Sequence, residues 1–185
     1  MILGQSDAAG HDLSELPFIV AAASLSKSQK HKSETRMTRR PATDSDQPAL
    51  FDLHRAVFRE HIEKIWGWDE SWQRANFATE FACAATSVIE QDGRIVGYVQ
   101  ILDKEDRIHV QNIAISPEYQ GKGIGSRILK NLQLQAAARQ VPLQLGAFRT
   151  NTLAQKLYER LGFRRTGATD THIEMSWTGH DRQQP

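Results

Sequence analysis

From Met37 onward the chain switches repeatedly between two hydrophobic periods, and the switches mark its elements. Residues 38–42 form a short extended run. Asp44 or Ser45 can cap the helix that follows, whose apolar positions Leu50, Leu53, Val57, Phe58, Ile62 and Ile65 keep close to helical spacing until Gly67 breaks it. Asp69 can cap a second helix reaching about Ala82, with Trp72, Phe77 and Phe81 expected to face inward. SVIEQDGRIVGYVQIL then reads as two β-rich runs joined by Gln-Asp-Gly, and a further turn at residues 104–106 leads into the strand RIHVQNIAI. Strands joined by such short turns run antiparallel.

The second half follows the same grammar. Ile124, Ile128, Leu129, Leu132 and Leu134 carry a long helix to about Arg139, and residues 141–148 form a strand. Asn151 or Thr150 caps a fourth helix with Leu153, Leu157 and Leu161 on one face, and Gly162 stops it at C′. Residues 163–166 and 171–177 close the pattern as strands. In the last, Glu174 and Ser176 alternate with Ile173, Met175 and Trp177, giving one wet face and one buried face. The predicted order is βααβββαβαββ: an α/β fold with a mixed, mostly antiparallel central sheet flanked by helices.

The first 36 residues do not share this pattern. SLSKSQKHKSETR is polar, of mixed charge and without periodicity, and cannot bury enough apolar surface to offset its ordering entropy. Residues 1–36 therefore read as a flexible extension, in which LPFIVAAASL is the candidate for a short helix. Residues 37–178 form the domain, and residues 179–185 a frayed tail. Met37 reads as a natural start.

Composition narrows the partners. The chain has 185 residues, 39% of them apolar, enough for one domain with one core. Lys and Arg number 23 against 22 Asp and Glu, a formal charge of +1, so no nucleic-acid partner is expected. The single cysteine, Cys83, can form no internal disulfide, and in FACAATSVI it reads as a buried inert thiol. No apolar run approaches the ~20 residues of a membrane span. Asp7, Asp12 and Glu15 precede LPFIVAAASL where a signal peptide would be positive, so a cytoplasmic protein is expected. No His, Asp or Glu cluster has metal-ligand spacing, and no metal is expected.

The candidate chemistry begins in AISPEYQGKGIGSRIL. A strand ending at Ile115, a turn at Ser116 and Pro117, and a glycine-rich entry into a helix place free backbone N–H groups at a helix N-terminus, which is an anion site. Gln120 and Lys122 add donors and charge, so the loop suits a pyrophosphate. The dinucleotide pattern G-x-G-x-x-G requires a parallel βαβ unit, whereas here G-x-G-x-G follows antiparallel strands. The P-loop pattern fails because Gly123 is followed by Ile124. Taken alone, the motif leaves open a glycine-rich turn that holds nothing.

A second segment, NTLAQKLYERLGFRRTG, follows at Asn151. Together, NIAISPEYQGKGIGSRIL and this segment resemble the acetyl-CoA loop and the second cofactor segment of the GNAT superfamily of N-acetyltransferases, and RPATDSD resembles that family's first strand and helix cap. The resemblance covers about residues 37–177. It implies that Gln120, Gly121, Lys122, Gly123, Ile124, Gly125 and Ser126 cradle the pyrophosphate of acetyl-CoA. It implies that the strand Ile113, Ala114, Ile115 pairs with the pantetheine arm through the backbone of its first and last residues, at a level where two strands splay. It implies that Asn151 hydrogen-bonds the arm and that Tyr158 protonates the departing thiolate. The implied reaction is direct attack of a primary amine of a small molecule or peptide on the thioester, with no covalent enzyme intermediate. A homodimer is left open.

The acceptor side is less determined. Some peptide-acetylating members carry a glutamate base on the strand before the fourth helix, where Gly146 stands here. The candidate base is Glu63, with His61, Asp69 and Glu70 as further candidates and a water chain as an alternative. Trp66, Trp68 and Trp72 are candidates to wall an amine pocket, since aromatic faces attract cations; the plainer reading makes them core. Arg149, Arg164 and Arg165 are candidates for the 3′-phosphate, against a plain surface role. His109 and His172 read as structural. A non-catalytic module that binds acyl-CoA as a sensor is the alternative to an enzyme. If Met37 is the initiator, the mass of the protein isolated from its own cells corresponds to a chain starting there; a mass matching all 185 residues overturns that start.

Overall fold

The computed structural model describes residues 37–179, so the expectations for the N-terminal extension and for the tail beyond Gly179 lie outside the described residues. The elements are β1 (Met37–Pro41), α1 (Gln47–Trp66), α2 (Glu70–Cys83), β2 (Ala85–Gln91), β3 (Arg94–Asp103), β4 (Ile108–Ile115), α3 (Ile124–Ala138), β5 (Leu143–Phe148), α4 (Thr152–Arg160), β6 (Arg164–Ala168) and β7 (His172–Trp177). This is the predicted order. The strands form one seven-stranded sheet, β1-β2-β3-β4-β5-β7-β6, in which the β4–β5 pair alone is parallel.

Local chemistry sets the helix starts. Before α1 a short turn at Asp44–Asp46 is closed by a reciprocal capping box between Thr43 and Asp46. The Asp46 carboxylate also receives both terminal nitrogens of Arg40, at 2.7 and 2.8 Å, and those bonds hold it well below the usual carboxylate range. Arg40 Nε meanwhile donates to Glu90 on β2 at 2.9 Å, so one guanidinium ties β1 to its neighbour strand and to the start of α1. Asp69 caps α2 by accepting the Trp72 N–H at 2.9 Å.

Two sequence expectations on α2 are corrected. Trp72 is 60% exposed rather than inward. The face that α2 turns to the sheet runs through Gln73, Phe77 and Phe81, at i+4 spacing, and Trp72 lies about 100° round the helix from it. Cys83 is exposed, not buried, because it stands two residues past Phe81 on the opposite side of the last turn.

The sheet separates two cores. On one face, Leu50 and Phe51 of α1 and Phe77 of α2 pack on Val88, Tyr98 and Ala114. On the other, the α3 stripe Ile124, Ile128, Leu129, Leu132 and Ala136, with Tyr158 of α4, covers the larger cluster built on β3, β4, β5 and β7. The parallel β4–β5 ladder is short, from Ile108↔Leu143 to Val110↔Leu145, although β4 continues to Ile115 and β5 to Phe148. Beyond that point the two strands part, while β3 stays paired along β4 to Gly97↔Ile115.

One histidine is sealed into the smaller core. His54, 6% exposed, lies among Phe51, Phe58 and Phe77, with Nδ1 2.9 Å from the hydroxyl of Tyr98. Burial pushes its pKa down to about 4. The unfolded chain titrates this imidazole near the ordinary value of 6.5, so between pH 6.5 and 4 the unfolded state binds more protons. Stability therefore rises with pH across that window, and acidification through it removes up to roughly 3 kcal/mol. Urea unfolding at a series of pH values checks this. His54→Gln, which keeps a partner for Tyr98 and cannot titrate, is expected to flatten the slope.

Candidate active site

A cleft of about 1370 Å³ opens where β4 and β5 part, walled by α1 on one face of the sheet and by α3 and α4 on the other. The backbone of β4 presents itself to it. The Ser116 N–H donates to Val96 O at 2.9 Å, which makes Ser116 and Val96 a hydrogen-bonded pair of the antiparallel ladder. Such pairs alternate, so the next is Ala114 with Tyr98, and the polar backbone groups of Ile113 and Ile115 point away from β3 toward the parting. The amide of Gln120 confirms the direction, donating to Ile115 O at 2.9 Å from the far side. Ile113 and Ile115 line the cleft. Ala114, fully buried, points into the opposite core.

The glycine-rich turn lies alongside. Gly121 and Gly123 have φ of 73° and 79°, left-handed values that glycine adopts without strain, and a Cβ on either would meet nothing within 4 Å. Both glycines line the cleft, so that free space belongs to it. Gly123 is the N-cap of α3, and Ile124, 2% exposed, anchors the turn in the core. Gln120, Gly125 and Ser126 also line the cleft. Lys122 is not on its wall; its ammonium sits 4.7 Å over the ring of Tyr119. Open space beside two glycines, at the start of a fifteen-residue helix and next to an unpaired strand edge, fits an extended group ending in phosphates.

Helix α4 contributes two side chains. Asn151 caps it, its Oδ1 accepting the Ala154 N–H at 3.0 Å, which leaves the amide nitrogen for the cleft. Tyr158 is 6% exposed and reaches the same space, and no described residue hydrogen-bonds its hydroxyl. Burial pushes its pKa up to about 12, so it keeps its proton at neutral pH.

Across the sheet, an aromatic group gathers on Phe148. His61 stacks on it at 5.6 Å, His172 lies 4.4 Å away, and Phe58 and Trp66 approach at 6.2 and 6.4 Å. Each histidine has one ring nitrogen engaged by a threonine: His61 Nδ1 with Thr150 Oγ1 and His172 Nδ1 with Thr171 Oγ1, both at 2.8 Å. Burial lowers the pKa of both. Trp66, 61% exposed, stands at the rim beside Phe148 and His172.

The structure does not bring Glu63 or Trp68 into the cleft. Glu63 lies on the outer side of α1 in a shallow groove with Asp52, Arg55, Arg59 and Glu60, 3.7 Å from Arg59. Trp68 packs against the α1–α2 core and donates its indole N–H to Glu70 at 2.8 Å. Asp69 is a helix cap, and Glu70 pairs with Arg55 and Arg74. Arg149 donates to Thr169 O and Arg165 to Gln155 and Glu159; the cations of α4 that line the cleft are instead Lys156 and Arg160.

Several cleft residues carried no sequence signal of their own. Phe148 and His172 meet across the β5–β7 register, a pairing of distant residues that no local pattern announces. Glu80 of α2 accepts from Gln111 at 3.2 Å and Asn112 at 2.9 Å, and Asn112 also donates to Gln100 at 2.8 Å. This polar knot sits beside the β3–β4 register shift at Gln100 and Ile101 and fixes β4 just before its free edge.

The family model described as an acetyltransferase (GNAT) domain matches residues 82–165. The chain is similar to the N-alpha-acetyltransferase RimI of Mycobacterium tuberculosis, 33% identical over 142 residues that cover 72% of this chain and 89% of that one. It is 30% identical over 154 residues to the spore coat polysaccharide biosynthesis protein SpsD of Bacillus subtilis, covering 76% of this chain but only 51%, about half, of the relative's length. Among solved structures, the PaiA N-acetyltransferase of Thermoplasma acidophilum, in complex with coenzyme A, shares the fold with a TM-score of 0.66 at 16% identity, over 77% of this chain and 99% of that one.

A side chain at Gly123 would both strain a left-handed backbone and occupy the cradle. Gly123→Val is expected to weaken coenzyme A binding by roughly 100-fold, close to 3 kcal/mol. Titration calorimetry checks it, and unchanged affinity removes the turn from the binding site.

Proposed function

The chain belongs to the GNAT acetyltransferase family, and from that premise we propose that it transfers the acetyl group of acetyl-CoA to a primary amine of a small molecule or a peptide. The observation that supports this best is the convergence of an unpaired strand edge, a glycine cradle and a protonated buried tyrosine on one cleft. Acetyl-CoA supplies an acyl group already activated as a thioester.

The residues of the chain divide the remaining work. Ile113 and the N–H of Ile115 offer outward backbone groups that hold an extended arm as a further strand would, while Gln120 meets Ile115 O. Gly121, Gly123 and Gly125, with Gln120, Ile124 and Ser126, surround the phosphates at the positive end of α3, and Lys122 adds charge from the rim. The Asn151 amide nitrogen donates to the arm. Backbone N–H groups at the end of β4 stabilise negative charge developing on the acyl oxygen. Tyr158 Oη holds the proton that the departing sulfur takes, and its raised pKa keeps it loaded. Glu63, outside the cleft, has no part in this scheme. The relation to a protein named as an N-alpha-acetyltransferase supports a peptide α-amine as one acceptor class.

Thiol release from acetyl-CoA is expected with at least one of an alanine-starting hexapeptide, phenethylamine and spermidine. Tight coenzyme A binding with no turnover on any amine overturns the reading in favour of a non-catalytic binding module. Tyr158→Phe is expected to lower kcat by roughly 100-fold while the affinity for coenzyme A changes little. An unchanged kcat, where chemistry limits the rate, removes Tyr158 from the mechanism.

A further inference from the structure

The cleft is lined by two carboxylates among the described residues, Glu60 and Glu174. Glu60 is held by Lys64 at 2.6 Å. The Glu174 carboxylate has no ion pair or hydrogen bond among the described residues, and the groups that feel its charge are the imidazoles of His109 and His172, which line the same cleft. Its place in the sheet is unusual. Glu174 pairs across β7–β5 with Gly146 and across β7–β6 with Gly167, so both neighbouring strands present a glycine beside it. A Cβ on Gly167 would lie 2.8 Å from Glu174 Oε2, which shows the carboxylate resting over that glycine. A Cβ on Gly146 would meet nothing nearer than His172 Cδ2 at 3.9 Å, so the other side is open. Gly146 is one residue past Leu145, the last β5 residue paired with β4. The row Gly146–Glu174–Gly167 thus leaves one side chain free to swing across three strands, from the outer edge to the parting.

We propose that Glu174 receives the acceptor: its carboxylate binds the ammonium ion at the parting of β4 and β5 and takes its proton before attack. This rests on the acetyltransfer reading. The protonated amine gives one proton to Glu174, which passes it to solvent, and the freed lone pair forms the N–C bond as the C–S bond breaks. Tyr158 Oη gives its proton to the leaving sulfur and recovers one from the nitrogen through water, so the amide keeps the third. Gly167 parks the carboxylate while the site is empty, and Gly146 gives it room over the parting.

Two measurements test this. In the first, phenethylammonium is titrated into the coenzyme A complex while the ring signals of His109 and His172 are followed by NMR. Shifts are expected in the wild type and are expected to vanish in Glu174→Gln, whose coenzyme A affinity by calorimetry stays within about twofold of wild type. In the second, kcat/KM is measured for the panel amine that the wild type turns over fastest. Glu174→Gln is expected to lose roughly 100-fold. Glu174→Gln/Gly146→Glu, which moves the carboxylate one strand inward into open space, is expected to regain at least about a tenth of the wild-type value, a rescue that a merely structural role of Glu174 would not give. Equal ammonium binding by Glu174→Gln, or kcat/KM within about threefold of wild type, overturns the proposal. If the wild type acetylates none of the amines, the acetyltransfer reading fails and the titration alone decides whether Glu174 holds the cation.

Discussion

Strands β4 and β5 stay in register over Ile108–Val110 and Leu143–Leu145 and then diverge, and the backbone groups left unpaired past that point constrain most of what surrounds them. Buried N–H and C=O groups require partners. Here β5 supplies none to Ile113 or Ile115, Gln120 alone meeting Ile115 O among the described residues, and the divergence is held open from both sides. On one side β4 is paired with β3 to its end and pinned by the knot of Glu80, Asn112 and Gln100. On the other, β5 is fixed along its whole length by β7. Neither strand can close the gap without breaking a complete ladder, so the opening is a property of the rigid sheet and not of a loop.

The two layers of helices then take separate duties. Helices α3 and α4 face the larger core and bring the glycine cradle, Asn151 and Tyr158 to one rim of the gap. Helix α1 lies on the other face and brings His61 against Phe148, with Trp66 and His172 beside it. Burial tunes the groups differently on the two sides. It raises the pKa of Tyr158, which keeps a proton available, and lowers those of His61 and His172, which keeps them neutral.

Much of this was legible in the sequence because it is local. The Gln-Asp-Gly hairpin, the Asn151 cap, the Gly162 stop and the glycine-rich turn before α3 are each written within a few residues, and the element order follows from them. What was not legible depends on rotation or on long-range register. Trp72 and Phe77 are both aromatic residues of one helix, and only the phase of the stripe Gln73–Phe77–Phe81 tells which is buried. Glu63 belongs to a promising segment, yet α1 turns His61 to the cleft and Glu63 away from it. Phe148 and His172 become neighbours through β5–β7 pairing alone, and a residue read as a plain strand histidine from sequence thereby lines the site.

A gap cut through a sheet differs in kind from a bowl on a surface. The cleft is walled by α1 on one face and by α3 and α4 on the other, so its lining comes from both sides of the sheet. The two linings meet only within the thickness of the sheet. Each is set by its own helices, so residues of α1 can change without disturbing the glycine-rich turn before α3.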